Sequence, residues 1–270
     1  MSERITVEKS NGVADVKLVR SDKMNALDDA MFSALIETTA DLAEDKSVRC
    51  VVLSGEGRAF CAGLDMGNFG KMAEGGSEGS PSGRQPLAER TYGIANRAQQ
   101  AVWGWRELPV PVIAAVHGVA FGGGFQVMLG SDIRITHPDT KLSIMEIKWG
   151  LVPDMAGTAI MRHLCRDDIL RELTYTGRIF SGADAHAYGF ATELSDAPHE
   201  RAMELATFIA SKNPDAIRAN KQIFNSVAQM SDEDALVQES VLQDKIIGSK
   251  NQIEAVMAEL QKRPANFEDS

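Results

Sequence analysis

The sequence is poor in cysteine and in positive charge, and it has no long apolar run. Three cysteines, Cys50, Cys61 and Cys165, form an odd and scattered set that matches neither a disulfide framework nor a metal-ligand spacing, which favours a reducing compartment. A net charge of −10 disfavours nucleic acid or an anionic membrane as the partner, because both attract basic patches. No apolar run approaches the roughly 20 residues of a membrane helix, and the N-terminus does not resemble a signal peptide. We therefore expect a cytoplasmic protein with no metal and no membrane or nucleic-acid partner.

The first part of the chain alternates between strand and helix patterns. Asn11-Gly12 separates two short alternating runs, which is a strong signal for a hairpin. Asp28 is placed to cap a helix whose apolar residues recur at helical spacing. Nearly continuous apolar runs at 48–54 and 110–116 are typical of strands covered on both faces. This alternation predicts an α/β fold built from crossover units.

Two other stretches differ from this pattern. Residues 67–86 are rich in Gly, Ser and Pro and predict a mobile surface loop, for which a lid and plain disorder are both open interpretations. After about residue 195 the pattern is helical throughout. We therefore predict a core over 1–195 and a C-terminal helical segment over 196–270.

Two glycine-bearing segments each follow a predicted buried strand. Residues 58–65 read Arg-Ala-Phe-Cys-Ala-Gly-Leu-Asp, and residues 117–126 read His-Gly-Val-Ala-Phe-Gly-Gly-Gly-Phe-Gln. If a helix begins near Gly123, its free N–H groups point beyond the strand ends, where open α/β sheets bind ligands. One N–H from each turn, aimed at one point, would stabilise an oxyanion. Either turn alone could equally be an ordinary strand-to-helix connection.

Together the two segments resemble the paired signature of the crotonase (enoyl-CoA hydratase/isomerase) superfamily. Lys23-Met-Asn-Ala-Leu27 is similar to the early CoA-contacting segment of that family, and the resemblance extends over almost the whole chain. It implies a spiral of ββα units with a C-terminal helical trimerisation segment, and a homotrimer or a dimer of trimers. The implied substrate is an acyl-CoA thioester, with no cofactor beyond the coenzyme A that the substrate carries.

The resemblance also assigns roles to individual residues. The N–H groups of Leu64 and Gly123 become the oxyanion donors. The positions that would contact the substrate are Ala26, Ala62, Asp65, Met66, Gln126 and Trp149.

The carboxylates decide which reaction we expect. Hydratases of the family use two glutamates, and this chain has Gln126 at the first position and Glu146 at the second. An amide cannot transfer a proton at neutral pH, so half of the hydration mechanism is missing. Asp154 falls where dienoyl-CoA isomerases carry a catalytic aspartate and aryl-CoA dehalogenases a nucleophilic one. Two acids facing one thioester could move a proton along the acyl group.

The leading hypothesis is therefore isomerisation of a double bond in an enoyl- or dienoyl-CoA, with Glu146 and Asp154 catalytic and Gln126 orienting the acyl chain. The alternatives are a weak enoyl-CoA hydratase, or a hydrolase or dehalogenase with Asp154 as nucleophile. Two simpler interpretations also stay open. Asp154 could be a helix N-cap, and Glu146 could pair with Lys148.

Overall fold

The computed structural model describes residues 4–65, 67 and 86–269. Most of the loop expected between Gly67 and Pro86 lies outside the described residues, as does Met66. Along the described chain the strands are β1 (Ile5–Ser10), β2 (Val13–Leu18), β3 (Cys50–Gly55), β4 (Val112–Val116), β5 (Val119–Phe121), β6 (Ile133–Thr136), β7 (Lys141–Ser143), β8 (Phe180–Ser181) and β9 (Glu193–Leu194).

The helices alternate with these strands and then follow one another to the end of the chain. They are α1 (Asp29–Glu44), α2 (Arg97–Glu107), α3 (Gly123–Leu129), α4 (Gly157–Met161), α5 (Asp167–Thr176), α6 (Gly182–Tyr188), α7 (Pro198–Ala210), α8 (Pro214–Ser226), α9 (Asp232–Ile246) and α10 (Lys250–Gln261). None of the helices in the described ranges is both long and apolar enough to cross a bilayer.

The N-terminal hairpin and the first helix are confirmed as predicted. Strands β1 and β2 pair antiparallel, and both turn residues, Asn11 and Gly12, have positive φ angles of 52° and 79°, as a tight hairpin requires. Asp28 accepts a hydrogen bond from the N–H of Met31 at 2.8 Å and so caps α1. Helix α1 buries Met31 and Leu35 among its core residues.

The larger sheet has the strand order β1-β2-β3-β4-β6-β9 and is parallel from β2 onward. Strand β3 shows why its sequence is continuously apolar. Val51 and Leu53 belong to the core under α1 and α2, whereas Cys50 and Val52 belong to a separate core on the other face. Because successive strand residues point to opposite faces, both sets must be apolar.

Helix α7 covers that second face of the sheet. Its inward side is formed by Ala202, Ala206 and Ala210, which are at most 4% exposed and pack with the sheet residues of the same cluster. The small side chains let the helix approach the sheet closely. The division into a core over 1–195 and a segment over 196–270 stays a prediction, and α7 is in direct contact with the core.

A second, smaller sheet, β5-β7-β8, positions the candidate site. Strand β5 runs parallel to β7 and leads through Gly122, with φ 49°, into the fully buried helix α3. Strand β7 leads into a 3₁₀ helix over Glu146–Trp149. Helix α3 and this 3₁₀ helix therefore bring Gln126 and Glu146 together from neighbouring strands.

Candidate active site

The two glycine-bearing turns pack directly against each other. Cys61 donates its N–H to Val119 O at 3.1 Å and accepts one from Phe121 N at 3.1 Å, so the first turn runs alongside β5. Gly63 has φ +88°, and a Cβ there would lie 2.5 Å from Phe121 O and 3.7 Å from Gly123 N. Only glycine fits this approach without moving the backbone.

This packing brings together the N–H groups of Leu64 and Gly123. Leu27 donates its N–H to Gly63 O at 2.8 Å and accepts the N–H of Asp65 at 3.0 Å, so in this parallel pairing the N–H of Leu64 points away from Leu27. Gly123 is the first residue of α3, as the sequence predicts, and its N–H has no acceptor within the helix. Among the described residues neither group has a backbone acceptor. Both groups are therefore without a backbone acceptor at the point where the two turns meet, and their pairing on one oxygen stays a prediction.

Glu146 is a buried acid beside the second turn. It is 9% exposed, and its Oε1 accepts a 2.6 Å hydrogen bond from Gln126 Nε2. Oε2 is buried and has no hydrogen-bond partner among the described residues. Burial raises the pKa of Glu146, the charge of Asp154 acts in the same direction, and the hydrogen bond from Gln126 opposes both. A carboxyl group of this kind accepts a proton more readily than an exposed one.

Gln126 is held in a single orientation by the chain that follows Glu146. The side chain is 1% exposed, and its Oε1 accepts N–H groups from Met155 at 2.9 Å and Gly157 at 3.0 Å. With both acceptor positions of the oxygen used, the amide must turn its Nε2 toward Glu146. The identity of the two amide ends is therefore settled by the backbone.

Asp154 does not cap a helix, so that interpretation is wrong. Helix α4 begins at Gly157, and its N-cap is Ala156, with φ 65° and no capping side chain. Asp154 is exposed and lines a cleft of about 160 Å³ beside the segment that binds Gln126. The structure thus places Glu146 and Asp154 close enough for their charges to interact, with very different access to solvent.

Lys148 does not pair with Glu146. Its Nζ lies 5.2 Å from the centroid of the Trp149 ring, which is an ordinary cation–π distance. Trp149, predicted to contact the substrate, is 38% exposed. The raised pKa of Glu146 is therefore not offset by a neighbouring ammonium group.

Arg20 links Ala26 and Asp65, two positions that are predicted to contact the substrate. The sequence pattern does not single out Arg20. Arg20 Nη1 donates to Ala26 O at 2.9 Å and lies 2.6 Å from Asp65 Oδ2. Ala62 donates its N–H to Met24 O at 2.9 Å. The only signal for Arg20 is a basic residue shortly before the CoA-like segment, and such a residue is too common to be informative.

Asn25 is a second residue that the sequence analysis misses. It is fully buried with φ 55°, and its Nδ2 donates to Ala59 O at 2.8 Å and Glu56 O at 3.0 Å. Asparagine tolerates the left-handed conformation better than most residues. Its amide ties the segment before Leu27 to the start of the first glycine-bearing turn.

Comparison with known proteins places this geometry in a family. A sequence profile described as "Enoyl-CoA hydratase/isomerase" matches residues 8–270. The chain belongs to the enoyl-CoA hydratase/isomerase family. The resemblance to the crotonase superfamily is thereby confirmed.

Relatives in this family differ in the reactions for which they are named. The chain is 30% identical to the 1,2-epoxyphenylacetyl-CoA isomerase of Escherichia coli, covering 99% of each protein. It is 28% identical to the human mitochondrial enoyl-CoA hydratase domain-containing protein 2, over 95% of this chain and 85% of the relative. It is 26% identical to a Dictyostelium discoideum Delta(3,5)-Delta(2,4)-dienoyl-CoA isomerase, over 98% and 90%.

Solved structures agree on the fold. The crystal structure of an enoyl-CoA hydratase from Bacillus anthracis matches with a TM-score of 0.88 at 27% identity, covering 99% of this chain and 100% of that one. The α/β crotonase fold and the helical C-terminal segment expected from the sequence are thus confirmed for this family member.

Proposed function

We propose that the protein moves a carbon–carbon double bond within an enoyl- or dienoyl-CoA thioester. The thioester oxygen accepts hydrogen bonds from the N–H groups of Leu64 and Gly123, and the polarised carbonyl acidifies the adjacent C–H bond. Glu146 removes that proton through Oε2, the oxygen that has no partner among the described residues. Its raised pKa suits a group that must both take and return a proton.

The electrons and protons balance without a second substrate. The electron pair of the broken C–H bond enters the conjugated system and places negative charge on the thioester oxygen, where the two N–H groups stabilise it. The proton returns to the far carbon of the conjugated system, from Glu146 or from Asp154. The double bond is thereby displaced, and neither water nor an oxidant is consumed.

One observation carries the choice of isomerisation over hydration. Gln126 presents an N–H to Glu146 because its oxygen is held by the N–H groups of Met155 and Gly157. A water molecule at this site would meet one carboxylate and one amide, and the amide cannot take or supply a proton. Hydration by paired carboxylates therefore lacks one acid, whereas isomerisation needs only a group that carries a proton from one carbon to another. We accordingly assign Gln126 to positioning Glu146.

The test is to incubate the protein with 2-enoyl-, 3-enoyl- and 3,5-dienoyl-CoA in D₂O and to analyse the products by chromatography, ultraviolet absorbance and mass. We expect a positional isomer with a newly conjugated double bond. Formation of the water adduct alone would favour a hydratase, a class that several relatives are named for. Release of free acid or halide, with oxygen from labelled water entering Asp154, would favour the nucleophilic alternative.

We propose further that the protein acts in the cytoplasm as a trimer or a dimer of trimers, with no cofactor beyond the coenzyme A of its substrate. Free thiols at all three cysteines support a reducing location. Helices α9 and α10 expose large apolar side chains, with Leu236 at 63% and Leu260 at 74%, and such surfaces mark contacts between subunits. Light scattering on the purified protein measures the assembly, and a monomer at micromolar concentration would contradict this proposal.

A further inference from the structure

Among the described residues, one that is positively charged, Arg90, lines the cleft beside Asp154. Arg90 and Asp154 line it together with the mostly apolar side chains of Ile94, Trp103 and Ala159. Its volume of about 160 Å³ is small against the roughly 300–1,000 Å³ of pockets that hold drug-sized ligands. As lined by the described residues, the cleft fits the end of a short acyl group.

The cleft adjoins the reaction centre through the 153–157 segment. Asp154 and Ala156 line it, while the alternating residues Met155 and Gly157 bind Gln126 on the other side of the segment. Because the charges of Glu146 and Asp154 also interact, we infer that the far end of an acyl group running from Glu146 past Asp154 would reach this cleft.

The guanidinium of Arg90 is held in place by four hydrogen bonds. Three backbone carbonyls accept from it, those of Leu87 at 3.2 Å, Ala88 at 3.1 Å and Ile94 at 3.4 Å. Gln99 Oε1 accepts a further bond at 2.6 Å, and Gln99 also belongs to the capping box at the start of α2. Arg90 is thus anchored to the N-terminal end of a helix although its side chain is exposed.

All four of these acceptors are neutral, so the anchoring does not offset the positive charge of Arg90. No carboxylate in the described parts of the chain lies within ion-pair distance of Arg90, whereas Arg97, the first residue of α2, pairs with Asp29 at 2.8 Å. The helix N-terminus at Asn96 adds to the positive potential. Four bonds use four of the five N–H groups of a guanidinium, and one on Nη2 is left to donate.

We propose, building on the thioester function above, that Arg90 binds a carboxylate at the end of the acyl group remote from the thioester. The substrate class is then a short enoyl-CoA whose acyl chain ends in a carboxylate. An alkyl end entering the cleft would remove water from a fixed guanidinium and offer no hydrogen bond in return, which is unfavourable. A carboxylate end would form a charge-assisted hydrogen bond with the remaining N–H.

The experiment compares two 3-enoyl-CoA thioesters of equal chain length, one ending in a methyl group and one in a carboxylate. For each we measure kcat/KM for isomerisation. The Kd is measured by calorimetry in the Glu146→Gln background, in which the thioester should bind without being turned over. Wild type should prefer the thioester that ends in a carboxylate. In Arg90→Gln the ratio of the two kcat/KM values should fall by roughly tenfold, the usual effect of a hydrogen bond to a charged group. The thioester that ends in a methyl group gains no hydrogen bond from Arg90, so its kcat/KM should not fall in this variant.

Two further variants separate recognition from structure. Arg90→Lys keeps the charge and should retain part of the preference, which should weaken at high salt. Arg97→Gln, outside the cleft, should leave the preference intact.

Two outcomes would overturn the proposal. One is a wild-type preference for the thioester that ends in a methyl group, and the other is an equal loss of kcat/KM for both thioesters in Arg90→Gln. If neither thioester is isomerised but the two Kd values still differ in a way that depends on Arg90, the isomerase function is wrong and the proposed specificity stands. If the Kd values do not discriminate, the specificity fails by itself.

Discussion

The two parts of the candidate site are built from different chemistry. In the mechanism that we propose, the carbonyl-binding part uses the backbone N–H groups of Leu64 and Gly123, on turns that approach each other through glycine. The proton-handling part uses the side chains of Glu146 and Asp154, with Gln126 positioning Glu146. A backbone donor is present whichever residue stands there, whereas proton chemistry changes when one oxygen becomes a nitrogen. We therefore expect the first part to select the class of substrate and the second part to select the reaction.

The largest effect should come from the proton-handling part. Glu146→Gln removes the group that takes the proton, and we expect kcat to fall by about 10²–10⁴. Because the backbone donors are untouched, the Kd of the thioester should stay the same. Steady-state kinetics and calorimetry on the same variant measure the two quantities. Retention of full activity would exclude Glu146 as the base.

A change in the carbonyl-binding part should lower kcat by the same factor with every substrate. In Gly63→Ala the new Cβ would lie 2.5 Å from Phe121 O, at a φ of +88°, so the turn carrying Leu64 must shift. We expect a loss of about 10²–10³ in kcat, the range for one oxyanion donor, with each of the enoyl-CoA substrates. Gly248→Ala is the matched control, because Gly248 has φ +74° with open space around it. Comparable losses in both variants would mean that backbone strain alone is responsible.

A smaller change tests the boundary between the two parts. Gln126→Glu places a carboxylate in hydrogen-bond contact with Glu146, and two adjacent carboxylates cannot both ionise easily. The acid limb of the pH–rate profile should move to higher pH, with a smaller loss of kcat than in Glu146→Gln. Water adducts should accompany the isomer if paired carboxylates are what hydration needs. Gln252→Glu, outside the site, serves as the control, and an unchanged profile in Gln126→Glu would show that residue 126 does not act on Glu146.

The smallest effect should appear in stability. Burial raises the folded-state pKa of Glu146 above its ordinary value of 4.5. The folded protein therefore favours the protonated carboxyl group. The contribution of Glu146 to the free energy of unfolding is complete below the unfolded pKa and is lost as pH rises through the folded pKa. Glu146→Gln, which stays neutral, should have a higher Tm than wild type at neutral pH, and the difference should vanish in acid. Thermal melts across pH measure this, and Asp154→Asn, an exposed acid, should show no such gain.

The features that could be predicted from the sequence act over short distances. The turn at Asn11 and Gly12 and the cap at Asp28 involve neighbours within a few residues, so their residue types alone identify them. The pattern does not predict α2, because its buried residues, Ala101, Val102, Gly104 and Trp105, lie together behind a mostly polar first turn. Amphipathic spacing is weak in such a short helix.

The proton-handling part could be predicted only as a set of residues. Gln126 meets the N–H groups of Met155 and Gly157 across 29 and 31 positions, and this contact depends on the pairing of β5 with β7. Nothing in the local sequence shows which end of the amide faces Glu146.

The two N–H groups that hold the side chain of Gln126 would donate to a glutamate oxygen equally well. Glutamine and glutamate codons differ by one nucleotide, so a single mutation can exchange the amide for an acid without rebuilding the support around it. In evolutionary terms the reaction of this site is easily changed while its fold and its carbonyl-binding turns persist. Such an exchange at residue 126 is compatible with relatives that share this fold and are named for different reactions.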